Sequence, residues 1–151
     1  MRLVLTAAAL AILPLTASAQ DDPIEQAIEA RQGFYEMLAI NMGKLAGMAK
    51  GDLPYDETAA SRAAANIETL THYDLPSLFL EGSGSDKVKG TAARPDIWAD
   101  PDQFRAKFSG LQEAAVGAPD AAKGGAANVG ALVQKLGGAC KACHDSFREK
   151  S

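Results

Sequence analysis

The sequence predicts an all-α protein, an antiparallel four-helix bundle, on three observations. Apolar residues recur at alternating steps of three and four along four segments, the spacing of a helix face that packs against other helices. Stretches rich in glycine and proline separate these segments. Two of the three connections are short, so consecutive helices reverse direction, and a chain of 151 residues is long enough to bury one core.

The first helix is predicted from Ile24 to Lys50, because Pro23 stands where a helix start tolerates proline. We expect Phe34 to lie off the packed seam of this helix. The residues of the predicted seam are Ile28, Arg31, Tyr35, Leu38, Met42, Leu45 and Ala49.

The second helix is predicted from Tyr55 to Asp74, with Asp56 as its N-cap. Several positions on its packed side are alanines, which favour close contact with a neighbouring helix. The residues of that side are Ala60, Ala63, Ile67, Leu70 and Asp74.

The segment from Leu75 to Asp100 has no helical periodicity, and prolines and glycines interrupt it throughout. The run Gly82-Ser83-Gly84-Ser85 predicts a flexible stretch within it. Such a long crossover is uncommon in a small domain and is more often functional than idle.

Two further helices follow the crossover. The third begins near Pro101 and ends by Gly117, and the fourth runs from about Asp120 to Glu149, with a frayed or bent stretch expected near Gly124. The third carries Phe104, Phe108, Leu111 and Ala115 on its seam, and the fourth carries Val129, Val133, Leu136, Cys140, Cys143 and Phe147.

Cys140, Cys143 and His144 form a C-x-x-C-H sequence near the C-terminus. This is the attachment signature of c-type haem, in which each sulfur adds to a porphyrin vinyl group and the imidazole binds the iron. At about 100° of turn per residue, the three side chains fall within roughly a 100° arc of a helix. The sequence therefore predicts one covalent haem c, with His144 as axial ligand.

Two other uses of a C-x-x-C pair are less well supported. A redox dithiol is typical of a thioredoxin-like βαβ context, and a zinc site needs further ligands at suitable spacing. The sequence pattern favours neither of these contexts.

Residues 1–19 are predicted to be a cleaved signal peptide, leaving the bundle in residues 20–151. Arg2 supplies the positive start, residues 3–15 the apolar core, and residues 17–19 a small-residue cleavage site. Export agrees with the motif, because c-type haem is attached outside the bacterial cytoplasm. We therefore predict a periplasmic protein.

Charge and hydropathy exclude two classes of partner. The formal net charge of −4 argues against nucleic-acid binding. The apolar run at the N-terminus is too short for a membrane span, which needs about 20 apolar residues, and no later segment is long and apolar enough. We expect neither a nucleic-acid partner nor a membrane span.

The mature chain resembles the cytochrome c′ family over nearly its whole length. The C-terminal position of the C-x-x-C-H motif distinguishes it from small cytochromes c that carry the motif near the N-terminus. The other residues that carry the resemblance are Arg31-Gln32, Lys50-Gly51, Pro54-Tyr55, the run from Ala93 to Trp98, and Phe147-Arg148.

This resemblance implies further contacts with the haem. Arg31 and Gln32 would contact the propionates or the exposed haem edge, and Thr91 and Ala92 would meet the haem from the crossover. Arg148 would lie against the proximal imidazole or a propionate, where a fixed positive charge influences the redox potential.

The resemblance also implies a five-coordinate, high-spin iron. Six-coordinate relatives have an axial methionine at the position that Tyr35 occupies here, and a phenol is a poor ligand for ferrous iron. Met37 and Met42 are weaker candidates for that ligand, since one faces away from Tyr35 and the other lies two turns further along. We expect His72 to be a solvated residue near a helix end.

Three functions are compatible with these residues. The first is a gas-binding protein for nitric oxide and carbon monoxide, with Fe(II)/Fe(III) electron transfer also available and nitric oxide scavenging as one use. The second is a soluble electron carrier in a respiratory or photosynthetic chain. The third, an enzyme such as a peroxidase, lacks a distal histidine as acid or base. We therefore predict that the protein is not an enzyme.

The resemblance implies a homodimer formed through the first two helices. Small residues at Ala59, Ala63, Ala64 and Asn66 would permit close packing there. The sequence identifies no redox partner protein.

Overall fold

The computed structural model describes residues 22–150, which form a four-helix bundle. The predicted fold class is therefore confirmed. The predicted signal peptide, residues 1–19, lies outside the described residues. The helices are α1 (Pro23–Lys50), α2 (Glu57–Thr71), α3 (Asp96–Ala99), α4 (Pro101–Ala115), α5 (Ala118–Ala121) and α6 (Ala126–Phe147), with a 3₁₀ turn at Leu75–Leu78.

The four long helices α1, α2, α4 and α6 pack side by side in alternating directions. A short connection reverses the chain between α1 and α2. The two helices are then joined by a hydrogen bond of 3.0 Å, which Asn66 of α2 donates to Asn41 of α1. Gly130 near the start of α6 lies against Ala49 near the end of α1. Each long helix packs against two of the others, as in an antiparallel bundle. None of the helices in residues 22–150 is long and apolar enough to cross a membrane.

Capping residues define the ends of α1 and α2. The Asp22 carboxylate accepts a hydrogen bond from the Ile24 amide at 2.9 Å, and Gly51 ends α1 in the left-handed conformation with φ of 81°. Asp56 caps α2 as predicted, because its carboxylate accepts from the Ala59 amide. The predicted span of Tyr55 to Asp74 is too long by two residues at the start and three at the end.

The packed face of α1 differs from the predicted seam. Phe34, which we placed off the seam, is a core residue with only 4% of its surface exposed, and its ring contacts Phe108. Tyr35 and Met42, which we placed on the seam, are half-buried at its edge. The 3.6-residue period makes the stripe drift, so α1 presents the Phe34 side to the core and the Tyr35 side to a cavity described below.

The alanines of α2 pack within the bundle. Ala60, Ala63 and Ala64 are at most 2% exposed, so small side chains bring α2 close to its neighbours, as predicted. Asp74, which we placed on the packed side, is exposed and lies beyond the helix end. The aspartate is charged, and its exposure avoids the cost of burying that charge.

The predicted fourth helix is divided. A short helix, α5, comes first, and Gly124 and Gly125 then adopt positive φ values of 80° and 125° before α6 begins. Glycine adopts such values without the strain that a Cβ atom would cause. The frayed or bent stretch that we expected near Gly124 is therefore a complete break, and α6 is the helix that carries the C-x-x-C-H motif.

The crossover packs against the bundle. Ser83, in the run that we predicted to be flexible, is completely buried. Trp98 donates from its indole nitrogen to the Phe79 carbonyl across 3.0 Å. Ala93 pairs with Arg148 in an isolated antiparallel bridge, which joins the crossover to the chain just after α6.

Candidate haem site

A cavity of about 660 Å³ lies between α1, α4, α6 and the crossover. Its volume is within the range of roughly 300–1,000 Å³ that is typical of cofactor and ligand pockets. All nine residues that the sequence nominated line it: Arg31, Gln32, Tyr35, Thr91, Ala92, Cys140, Cys143, His144 and Arg148.

The last two turns of α6 bring the C-x-x-C-H side chains to the cavity. Cys140 and Cys143 are half-buried, and His144 is exposed at the surface of the cavity. Burial raises the pKa of both thiols, and the neighbouring Cys140 adds to the effect on Cys143, whose pKa is about 11. Both cysteines are free thiols available for addition to a vinyl group.

These pKa directions bear on the alternatives to haem. A reactive dithiol of the thioredoxin kind depends on a lowered thiol pKa, and here the shift is upward. For zinc, residues 22–150 contain no cluster of three or more histidine, cysteine, aspartate or glutamate side chains suited to a metal ion. The donor set agrees better with covalent haem.

The imidazole of His144 is suited to bind iron in its neutral form. Although the residue is exposed overall, partial desolvation of the ring lowers its pKa, and the positive charge of Arg148 lowers it further. A neutral imidazole has a nitrogen lone pair available for a metal. Arg148 is extended rather than helical, and its amide donates to the His144 carbonyl across 3.2 Å.

Aromatic and aliphatic side chains form much of the cavity wall. Phe104 of α4 makes edge-to-face contacts with Phe79, at 4.7 Å between ring centroids, and with Phe147, at 5.4 Å. Leu38 and Leu111 contribute from α1 and α4. The wall is therefore suited to a flat apolar macrocycle.

Arg31 is a buried cation at the polar end of this cavity. It is only 2% exposed, and burial lowers its pKa. Its guanidinium donates to the Leu78 carbonyl, to the hydroxyl and carbonyl of Ser83 and to the Thr91 hydroxyl. Every one of these acceptors is neutral. A buried charge usually has an opposite charge nearby, and a haem propionate is an anion of the required kind.

The crossover contributes its residues in three different ways. Gln32 donates from its amide to the Gly90 carbonyl across 2.8 Å. The Thr91 hydroxyl accepts from the Arg31 guanidinium at 2.7 Å. Ala92 is exposed, and its carbonyl accepts from the Glu149 amide at 2.9 Å, so this residue is held by its backbone.

Tyr35 faces the cavity from α1. It is half-buried, and its ring packs edge-to-face against Phe34 at 5.8 Å. Burial raises the pKa of the phenol, and the nearby Cys143 adds to this shift. The phenol therefore remains protonated at neutral pH.

The competing axial candidates lie in different places. Met37 is 47% exposed on the outside of α1, whereas Met42 is half-buried and lines the cavity. The chain has two histidines, both within residues 22–150. His144 lines the cavity, and His72 is an exposed residue at the end of α2.

Sequence reasoning missed several cavity residues. Lys107 is the clearest, because it lines the cavity from α4 and lowers the pKa of Cys143 by its charge. It lies three residues after Phe104, so its position beside the seam was a signal that could have found it. Phe79 lies in the crossover, where no periodicity identifies an inward side chain.

The fold and the site together define a four-helix bundle protein of the c-type haem class. A sequence model described as Cytochrome C′ matches residues 26–148. The chain is 46% identical over 150 residues to a cytochrome c′ from Cereibacter sphaeroides, covering 99% of each protein. The chain belongs to the cytochrome c′ family, whose members hold haem c covalently.

Two solved structures are also similar to this chain. A cytochrome c′ from a Rhodobacter species has a TM-score of 0.81 at 45% identity, covering 85% of this chain and 98% of that one. A nitric oxide complex of a cytochrome c′ variant from Alcaligenes xylosoxidans has a TM-score of 0.70 at 30% identity, covering 84% and 97%.

Serine substitutions test how haem is held. Cys140→Ser and Cys143→Ser should each retain one thioether, and the double variant should retain none, because the chain has only two cysteines. Intact mass under denaturing conditions, with haem staining of a denaturing gel, measures covalent attachment. Lys141→Ser, at an exposed position between the cysteines, is the control and should keep both bonds. Covalent haem in the double variant would contradict the assignment.

Proposed function

We propose that this chain is a periplasmic haem protein that binds small neutral gases, nitric oxide and carbon monoxide, and serves to scavenge nitric oxide. The observation that carries the proposal is Tyr35, whose half-buried phenol lines the cavity. The resemblance to the family implies that this position holds an axial methionine in six-coordinate relatives. Bound haem supplies an iron that binds diatomic gases and exchanges one electron.

The residues of the cavity divide the work of such a site. His144 supplies the axial nitrogen, and Cys140 and Cys143 fix the orientation of the macrocycle. Arg31 supplies a buried positive charge for an anionic propionate. Tyr35, supported by Phe34, screens the remaining approach, so that small neutral ligands enter and bulky or anionic ones are excluded.

Nitric oxide binding by a relative supports the choice of ligand. The Alcaligenes xylosoxidans protein was solved as a nitric oxide complex, and it shares the fold of this chain. The predicted signal peptide and the need to attach haem c outside the cytoplasm support the periplasm as its compartment.

Electron transfer is the second candidate function. Several residues around the cavity mouth are exposed, namely Gln32, Glu36, Ala92, His144 and Arg148. A haem edge that lies at this exposed mouth would be accessible to a redox partner for electron transfer.

Enzymatic turnover is not part of the proposal. Peroxidase chemistry needs a proton acceptor beside the reacting ligand, most often a histidine. His144 is assigned to the iron, and His72 is at the surface. Turnover of peroxide at the rate of a dedicated peroxidase would contradict this part of the proposal.

We also propose a homodimer through α1 and α2, with a contact surface that differs in part from the one that the sequence suggested. Of the four residues predicted there, Asn66 is exposed and Ala59 is half-buried. Ala63 and Ala64 are buried inside the bundle, so neither is available to a partner. Met37 and Ile40 of α1 are exposed by 47% and 59%. They adjoin Asn41, which bonds to α2, and so supply apolar surface at the junction of the two helices.

Substitution of Tyr35 tests the screening role. Tyr35→Ala should raise the affinity of the ferrous protein for a bulky isocyanide by about tenfold or more, which is about 1.4 kcal/mol, because the ring no longer obstructs it. Carbon monoxide affinity should change less. Equilibrium titration followed by absorption spectroscopy measures both constants.

Tyr35→Phe is the matched control, because it keeps the ring and removes only the hydroxyl. It should bind the isocyanide as weakly as the unmodified protein does. Unchanged isocyanide affinity in Tyr35→Ala would contradict the proposal that Tyr35 selects ligands by size.

Substitution of Ile40 tests the homodimer. Ile40→Lys should weaken dimerisation about tenfold or more, because a charged group then lies in an apolar contact. Val116→Lys is the control, since Val116 is exposed by 69% and lies at a surface pocket formed by α4, α5 and α6. Sedimentation velocity over a range of concentrations measures the association constant. A monomeric unmodified protein, or equal effects of both variants, would overturn the proposed interface.

A further inference from the structure

The environment of Arg31 joins two distant parts of the chain. Its guanidinium, carried by α1, is held by groups 47 to 60 residues away in the crossover. It also lies over the face of Phe79, with 4.5 Å from the guanidinium carbon to the ring centroid. The position of this cation is therefore set by the crossover as well as by its own helix.

Ser83 provides two of the bonds to Arg31. Its hydroxyl accepts from the guanidinium at 2.7 Å, and its carbonyl accepts at 2.6 Å. The same hydroxyl donates to the Leu80 carbonyl across 2.7 Å, and the Ser83 amide donates to that carbonyl at 3.1 Å. Gly82 makes this tight turn possible with a φ of 84°. The position of Ser83 is thus held by bonds within the crossover, independently of its contacts with Arg31.

Thr91 holds the guanidinium from a second direction. Its hydroxyl accepts from Arg31 at 2.7 Å and also from the Ala93 amide at 3.3 Å. Thr91 lines the cavity, whereas Ser83 is completely buried and does not. Ser83 is therefore linked to the cavity through its hydrogen bonds to Arg31.

We propose that Ser83, together with Thr91, is a positioning residue that fixes the Arg31 charge at the cavity and thereby raises the haem reduction potential. A positive charge near iron favours the ferrous form, which carries one positive charge less than the ferric form. A charge held in a buried, water-poor place acts more strongly than one that moves in solvent. The proposal rests on haem in this cavity, not on gas binding.

A purely structural role for Ser83 predicts a different result. If the hydroxyls only fasten the crossover to α1, their removal lowers the melting temperature and leaves the potential unchanged. If they position Arg31, their removal leaves the guanidinium less constrained and lowers the potential. Reduction potential and thermal stability, both measured on the holoprotein, separate the two roles.

The first experiment compares Ser83→Ala with Ser77→Ala by spectroelectrochemical titration of the purified holoproteins. Ser77 is an exposed crossover residue whose hydroxyl bonds to Asp74, away from Arg31. The potential of Ser83→Ala should be lower than that of the unmodified protein, and that of Ser77→Ala should be unchanged. An unchanged potential in Ser83→Ala would overturn the proposal.

Thr91 gives a second test that does not depend on how well Ser83→Ala folds. Thr91→Val keeps the shape of the side chain but loses the hydroxyl, so its potential should fall. Thr91→Ser keeps the hydroxyl and should retain the original potential. Equal potentials in these two variants would contradict a role for the hydroxyl.

A double-mutant cycle identifies Arg31 as the intermediary. Arg31→Gln removes the charge and should lower the potential by itself. Adding Ser83→Ala in that background should then have no further effect, since no guanidinium remains to be positioned. A second decrease, as large as that in the unmodified background, would show that Ser83 acts by another route.

Discussion

The site depends on a difference in helix packing between the two ends of the bundle. The helices pack closely at one end and leave a cavity between them at the other. Ala60, Ala64 and Ala115 are completely buried, so small side chains let the helices approach. At the other end, larger side chains line the cavity, and the ring of Phe104 on α4 packs edge-to-face against Phe147 on α6. The open end has the size of a cofactor pocket, and the haem-binding cysteines of α6 lie on its wall.

The first helix serves both regions at once. Phe34 belongs to the packed core, while Tyr35 lies at the cavity with a phenol that stays protonated. One turn earlier, Arg31 brings a positive charge to the same cavity. The apolar wall and this buried cation suit a molecule that is itself largely apolar with anionic groups at one edge, as haem is. The direction in which the apolar face of α1 turns therefore decides which of its side chains reach the haem cavity.

Helical periodicity predicted the bundle, and the dense C-x-x-C-H motif predicted three cavity residues, Cys140, Cys143 and His144. The other six came from the resemblance to the cytochrome c′ family: Arg31, Gln32, Tyr35, Thr91, Ala92 and Arg148. The sequence analysis placed Phe34 wrongly. A spacing of three and four residues identifies the apolar face of a helix, but it does not show which of two adjacent residues on a wide face is buried. The sequence predicted one fourth helix from about Asp120, although every residue of the predicted seam lies after Gly124. The positive φ values of Gly124 and Gly125 separate α5 from α6. The sequence could not identify Ser83, since its role depends on a contact 52 residues away in the chain.

Electron paramagnetic resonance and optical spectra of the ferric and ferrous holoprotein, with and without carbon monoxide and nitric oxide, test the central claim most directly. In the proposed site Tyr35 stands in place of a second protein ligand, so the account predicts high-spin iron that takes up gas without displacing a side chain. A low-spin ferrous spectrum, together with a methionine-to-iron charge-transfer band in the ferric state, would contradict it. Met42, which lines the cavity, would then be the axial ligand, and electron transfer the function.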